Sequence, residues 1–146
     1  MSDYSKFLAL DLGEKRIGVA LSDGLKMVAQ PLEVFLRTSR KKDFAHVAEL
    51  IRQHDVGRVV VGLPISLDGS EGAMARWARD YGRDLGETVS VKVVFWDESL
   101  TSEMAATAMA EQGYSRKKMK GKLDAVAAAL ILQSYLDSQI WVSDDA

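Results

Sequence analysis

Two short apolar runs that stop abruptly on acidic residues constrain this chain more than any other feature. Phe7-Leu8-Ala9-Leu10 ends at Asp11, and Val91-Lys92-Val93-Val94-Phe95-Trp96 runs straight into Asp97-Glu98. A brief apolar run of this kind reads as a strand buried in a sheet. Arg16 to Ala20 reads as a second strand, joined to the first by a turn at Leu12-Gly13-Glu14-Lys15. Gly18 lies inside it, where glycine permits close approach of another backbone or a ligand. Val28 to Leu36 supplies a third strand, with Pro31 marking an edge or a bulge. Phe44, Val47, Leu50 and Ile51 fall on one stripe and predict a helix over 43–54, ended by Gly57. Val59-Val60-Val61 begins a fourth strand. Further helices are expected over 70–86, with Asp68 or Ser70 as N-cap, over 101–112, and over 116–137 with an alanine-rich middle. This order predicts an α/β fold: a mixed five-stranded sheet, antiparallel in its first three strands and then alternating helices with parallel strands, with helices on both faces.

The chain has 146 residues, which suits a single domain over 1–140 followed by a frayed polar tail over 141–146. There are no cysteines, which excludes disulfides, thiolate metal sites and thiol catalysis. His46 and His54 are the only imidazoles and lie eight apart in an expected surface helix, which argues against a histidine-based metal site or triad. No apolar run reaches the roughly 18–20 residues that span a membrane. Met1 to Lys6 shows no apolar secretory core, so a cytoplasmic location is expected.

In open α/β sheets, sites form at the carboxyl ends of the strands. Asp11 and Asp97-Glu98 occupy such ends, and Asp124 interrupts an apolar stretch of the last helix. Taken singly, each has an ordinary explanation: a turn, a helix start, or a pair with Lys120 or Lys122. If they converge, their charges repel and require a cation. Without cysteine and with little histidine, the donors are oxygens, which favours Mg²⁺ or Mn²⁺. Two such ions suit phosphodiester cleavage. The net charge is −2, yet Arg37, Arg40, Lys41 and Lys42 place four cations in six positions, and Arg116, Lys117, Lys118, Lys120 and Lys122 place five in seven. Local basic stretches of this kind either bind phosphate or form solvated loops.

Asp11-Leu12-Gly13-Glu14-Lys15-Arg16-Ile17-Gly18-Val19-Ala20-Leu21-Ser22-Asp23 resembles the opening signature of the YqgF family, also called RuvX. Val60 to Gly72, Asp97 to Ser102, and Lys122-Leu123-Asp124 with Ala127-Ala128 and Ile131 to Leu136 are similar to its later motifs, so the resemblance covers about residues 5–138. It implies a ribonuclease H-like fold related to the RuvC resolvase. It also implies a nuclease that matures the 5′ end of pre-16S ribosomal RNA in precursor particles, or one that resolves branched DNA at Holliday junctions. By that resemblance Asp11, Glu98 and Asp124 are the catalytic, metal-binding acids, and Asp97 is an auxiliary metal-binding acid. Lys15, Arg16, Gly62, Asp68, Gly69, Lys117, Lys118 and Lys122 are the expected substrate contacts. Ser99 stands where the family usually has arginine, and Ser102 where it has a second threonine.

Two other classes compete with a nuclease. A non-catalytic RNA-binding assembly factor would use the same basic segments. An actin-like ATPase would use the Asp-x-Gly turn for phosphate, but Glu14-Lys15 replaces the usual hydroxyl residues, and 146 residues supply one domain where those enzymes use two.

Overall fold

The alternation of side chains along a strand decides which layer each residue joins. The computed structural model describes residues 4–66, 68–100 and 123–144. Strands β1 (Lys6–Leu12), β2 (Arg16–Ser22) and β3 (Ala29–Leu36) form an antiparallel meander. Strands β4 (Val56–Leu63) and β5 (Lys92–Asp97) add in parallel beyond β1, giving the order β3-β2-β1-β4-β5. The mixed five-stranded sheet is the one expected. Pro31 sits on edge strand β3, opposite a register shift between Val19 and Ala20. An edge tolerates the missing N–H there.

On β1, Leu8, Leu10 and Leu12 face helices α1 (Arg40–His54) and α2 (Ala73–Thr88), packing with Val47, Leu50, Tyr81 and Leu85. Phe7 and Ala9 face the other way, toward Ala128, Ile131 and Leu132 of helix α3 (Leu123–Asp144). Each fully buried leucine or isoleucine contributes about 1.5–3 kcal/mol. Ala128 and Ala129 are fully buried and bring the α3 backbone down onto the sheet. Gly18 makes the approach possible, because a Cβ there would lie 1.9 Å from the Asp124 carbonyl oxygen.

Several boundaries differ from expectation. Helix α1 begins at Arg40, because the Ser39 hydroxyl accepts the Lys42 N–H at 3.2 Å. Asp43, expected to start the helix, is buried within it and accepts from the Thr38 N–H at 3.0 Å and the Tyr81 hydroxyl at 2.9 Å. Burial, with Asp43 beside it, pushes the Tyr81 hydroxyl far above its ordinary range. Asp55, not Gly57, ends the helix, in a left-handed conformation with φ 52°. Helix α2 starts at Ala73 with Gly72 at its cap. Asp68 does not cap it, since its Oδ1 accepts the Ser70 N–H within the preceding loop. Helix α3 continues past Asp137 to Asp144. The expected helix over 101–112 and the start of the last one over 116–122 lie outside the described residues.

The Gly18→Ala substitution is expected to destabilise the fold by about 3 kcal/mol, because overpacking against rigid backbone cannot relax through a rotamer change. For a chain of this size that lowers the thermal midpoint by about 9 °C. Circular dichroism melting checks it, and an unchanged midpoint would contradict the close approach.

Candidate active site at the strand ends

Parity along the strands assembles the site. Phe7 and Ala9 point toward α3, so Asp11, two residues on, does too. Val94 and Trp96 on β5 also pack on the α3 side, and Glu98 continues that row into a short 3₁₀ turn over Glu98–Leu100. On β2, Gly18 pairs directly with Asp11 and touches α3 at Asp124. The strand ends, the turn and the first turn of α3 therefore meet on one face.

Asp11 stands on β1 and Glu98 just past the end of β5, and these two strands flank β4 about 9–10 Å apart at two strand spacings. The two side chains nevertheless share a hydrogen bond. Gly62 on β4 leaves the room. A Cβ there would stand 2.9 Å from Glu98 Oε2 and 2.6 Å from Ile131 Cδ1. Gly62 was expected to touch substrate, but Glu98 and α3 fill the space above it.

Burial pushes the Asp11 carboxyl up to about 6, with the Asp124 charge adding to the effect and the hydrogen bond with Glu98 opposing it. Burial likewise pushes Glu98 up to about 7, followed by the Asp11 charge, the hydrogen bond and the Asp97 charge. The two carboxyls oppose each other's ionisation and so titrate as a pair. The pair therefore holds a proton in common near neutrality.

Asp124 stands in the first turn of α3, with its Oδ2 3.6 Å from Arg16 Nε. Asp97 has the opposite parity from Glu98, and its Oδ1 accepts the Ser99 N–H at 2.8 Å. It reaches the site through its charge and turns one oxygen onto its own backbone. Lys15 and Arg16 line an open groove of about 330 Å³ together with Gly13, Glu14 and Asp124. Asp68 is exposed on the loop after β4, where Gly69 adopts φ +85°. Hydrogen bonds from Ser70 hold the Asp68 carboxyl below its usual range. Lys117, Lys118 and Lys122 lie outside the described residues.

Sequence reasoning counted Arg37 only as one cation of a basic stretch and missed its structural part. Its guanidinium donates to the Gly13 carbonyl at 3.0 Å and stacks 4.2 Å over the Trp77 ring, and its backbone N–H donates to the Lys15 carbonyl at 2.8 Å. It thereby pins the β1–β2 turn to α2. Its position just past β3, level with Lys15 across the hairpin, was the available signal.

Among the described residues, no three acids close on one point as a preformed metal cage. Asp11 and Glu98 resist ionising together, and Arg16 attends Asp124. The donor set still fits a divalent ion. Removing the shared proton leaves two half-buried negative charges beside a third, which a cation must offset. Carboxylate oxygens suit Mg²⁺ or Mn²⁺, and Asp11, Glu98 and Asp124 are the residues that would hold it.

Solved structures share this architecture. The RuvC resolvase of Thermus thermophilus, in complex with a Holliday junction, matches with a TM-score of 0.56 at 16% identity, covering 93% of this chain and 96% of that one. The fowlpox virus resolvase matches with a TM-score of 0.56 at 14% identity, covering 92% and 98%. The fold is that of the ribonuclease H-like class. The chain belongs to the RuvX family, described as Holliday junction resolvase, whose model matches residues 5–138. A relative from Anaeromyxobacter sp. (strain Fw109-5), named "Putative pre-16S rRNA nuclease", is 44% identical over 92% of this chain and 98% of its own length. One of the same name from Syntrophus aciditrophicus (strain SB) is 42% identical over 97% and 95%. Membership in this family displaces the actin-like ATPase reading. No helix among the described residues is long and apolar enough to cross a membrane.

Both carboxyls titrate above their ordinary values. Folding therefore gains from them at low pH and loses that gain as pH rises through about 6 and 7. The thermal midpoint is expected to fall between pH 5 and pH 8. Glu98→Gln should flatten the fall and raise the midpoint at pH 8 by about 3 °C, corresponding to about 1 kcal/mol. Melting curves across that range check this, and parallel pH profiles for the two proteins would exclude the shared proton.

Proposed function

We propose that this chain is a divalent-cation-dependent endonuclease that cleaves phosphodiester bonds in structured RNA, trimming the 5′ end of pre-16S ribosomal RNA in precursor particles in the cytoplasm. The observation that carries the reading is the meeting of Asp11 and Glu98 over Gly62, with Asp124 close enough to raise the Asp11 pKa. The names of the relatives support the substrate.

When bound, Mg²⁺ or Mn²⁺ supplies the Lewis acidity and charge neutralisation that phosphodiester hydrolysis requires. Asp11, Glu98 and Asp124 would be the residues that hold it, through carboxylate oxygens, the first two in their ionised form. Their half-buried setting keeps bulk water from screening these charges. Lys15 and Arg16, at the mouth of the groove, attract the phosphate backbone and set its register. Lys117, Lys118 and Lys122 belong to a basic stretch that adds to the same attraction.

A four-way DNA junction is the second substrate to consider, because the family model is described as a Holliday junction resolvase. Symmetric cleavage of such a junction calls for a two-fold dimer.

The Asp11→Asn variant should retain its circular dichroism spectrum and lose cleavage by about a thousandfold in Mg²⁺ or Mn²⁺, a loss of about 4 kcal/mol of transition-state stabilisation. Gel assays on a pre-16S leader hairpin and on a four-way junction measure this in parallel, and the faster reaction identifies the substrate. Undiminished cleavage by the variant would remove Asp11 from the active site. Salt-sensitive RNA binding by the wild type without cleavage in any divalent ion would establish the assembly-factor reading instead.

A further inference from the structure

Arg16 has a fixed backbone and a loosely held head. Its carbonyl accepts the Gly13 N–H at 2.9 Å, and its backbone pairs with Leu36 across the sheet. Arg37 fastens the same turn through the Gly13 and Lys15 carbonyls. The Arg16 side chain is 63% exposed, and its Nε approaches Asp124 Oδ2 only to 3.6 Å. That distance exceeds a normal N–H···O hydrogen bond, so the attraction is electrostatic and weak. Parity places Arg16 on the same face as Gly18 and Ala20, the α3 side, beside Asp11. The groove it lines with Lys15 and Asp124 is open to solvent on that side.

We infer that Arg16 is an exchangeable cation: it attends Asp124 until a divalent ion takes that carboxylate, and its guanidinium then receives a phosphate of the nucleic acid. The inference rests on the proposed nuclease reading and adds an order of events to it. A divalent ion and a guanidinium compete for one carboxylate, and the doubly charged ion prevails when other acids share the load. The displaced guanidinium cannot leave, because its backbone is fixed at the groove. Its planar fork matches the two oxygens of a phosphate. Metal loading thus converts an internal ion pair into a substrate-positioning group, and nucleic acid binding becomes metal-dependent without movement of the backbone.

The test uses the full chain and two binding measurements. Mn²⁺ affinity of the protein alone is read by electron paramagnetic resonance. Affinity for a leader-RNA hairpin blocked at its scissile bond is read by fluorescence anisotropy, with and without Mn²⁺. Arg16→Ala should bind Mn²⁺ about two- to fivefold more tightly, matching the strength of an exposed pair. It should bind the RNA more weakly, with the salt dependence reduced by about one ion. Arg16→Lys should return Mn²⁺ affinity toward wild type and recover only part of the RNA affinity, since an ammonium lacks the fork. Weaker Mn²⁺ binding by Arg16→Ala would make Arg16 a structural holder of Asp124 and overturn the inference. Unchanged RNA binding would overturn it as well. A wild type that binds neither Mn²⁺ nor RNA would sink the nuclease reading itself, so the two failures are distinguishable.

Discussion

The backbone of α3 resting on Gly18 is the contact on which the site depends. It holds the first turn of the helix over the strand position that pairs with Asp11. Any side chain at 18 would lift this end of the helix and carry Asp124 away from Asp11. The alanines further along serve the same end, since Ala128 and Ala129 are fully buried and keep the helix close to the sheet. Small side chains thus set a distance between layers, and that distance places a carboxylate. The apolar contacts of Ile131, Leu132 and Leu136 stabilise the layer as a whole, while the glycine decides where its charged end falls.

A second absence of side chain works at right angles to the first. Gly62 lies between the strand that carries Asp11 and the strand that leads to Glu98. Carboxyls two strands apart meet because nothing rises from the strand between them. Their contact is favourable only with a proton or a cation present, since two bare carboxylates in a half-buried setting repel. Apolar packing of α3 on the sheet holds the two acids close, and burial answers by raising both carboxyls above their ordinary values.

The central strands were legible in the sequence because each carries a short apolar run with a clear end. The acids at two of those ends were legible for the same reason. What spacing alone did not separate was Asp97 from Glu98. The distinction lies in parity: Val94 and Trp96 share a face with Glu98, whereas Val93 and Phe95 share the opposite one with Asp97. Helix starts were less legible, because local hydrogen bonds compete for the same capping groups. Asp68 looked like a cap and is spent on Ser70, while Ser39 caps α1 four residues before the expected start at Asp43. Asp43 does lie in the first turn of α1, but its burial was not legible, because its partner Tyr81 lies 38 positions away and no local pattern announces a buried hydrogen bond of that span.

The balance of charge bears on how a chain with net charge −2 handles a polyanion. Many of its cations already have anionic partners: Arg40 is held by Asp80 and Asp84, Arg79 by Glu71, and Arg52 by Glu49. These pairs cancel at short range and project little field. Lys15 and Arg16 sit at the carboxyl end of the sheet, and the strand β3 delivers Lys41 and Lys42 to the same end, in the first turn of α1. Cations in the first turn of a helix oppose its dipole, so folding stability disfavours them there. Overall charge is the wrong measure for such a molecule, because attraction at separations within a Debye length depends on which charges are unpaired and where they stand.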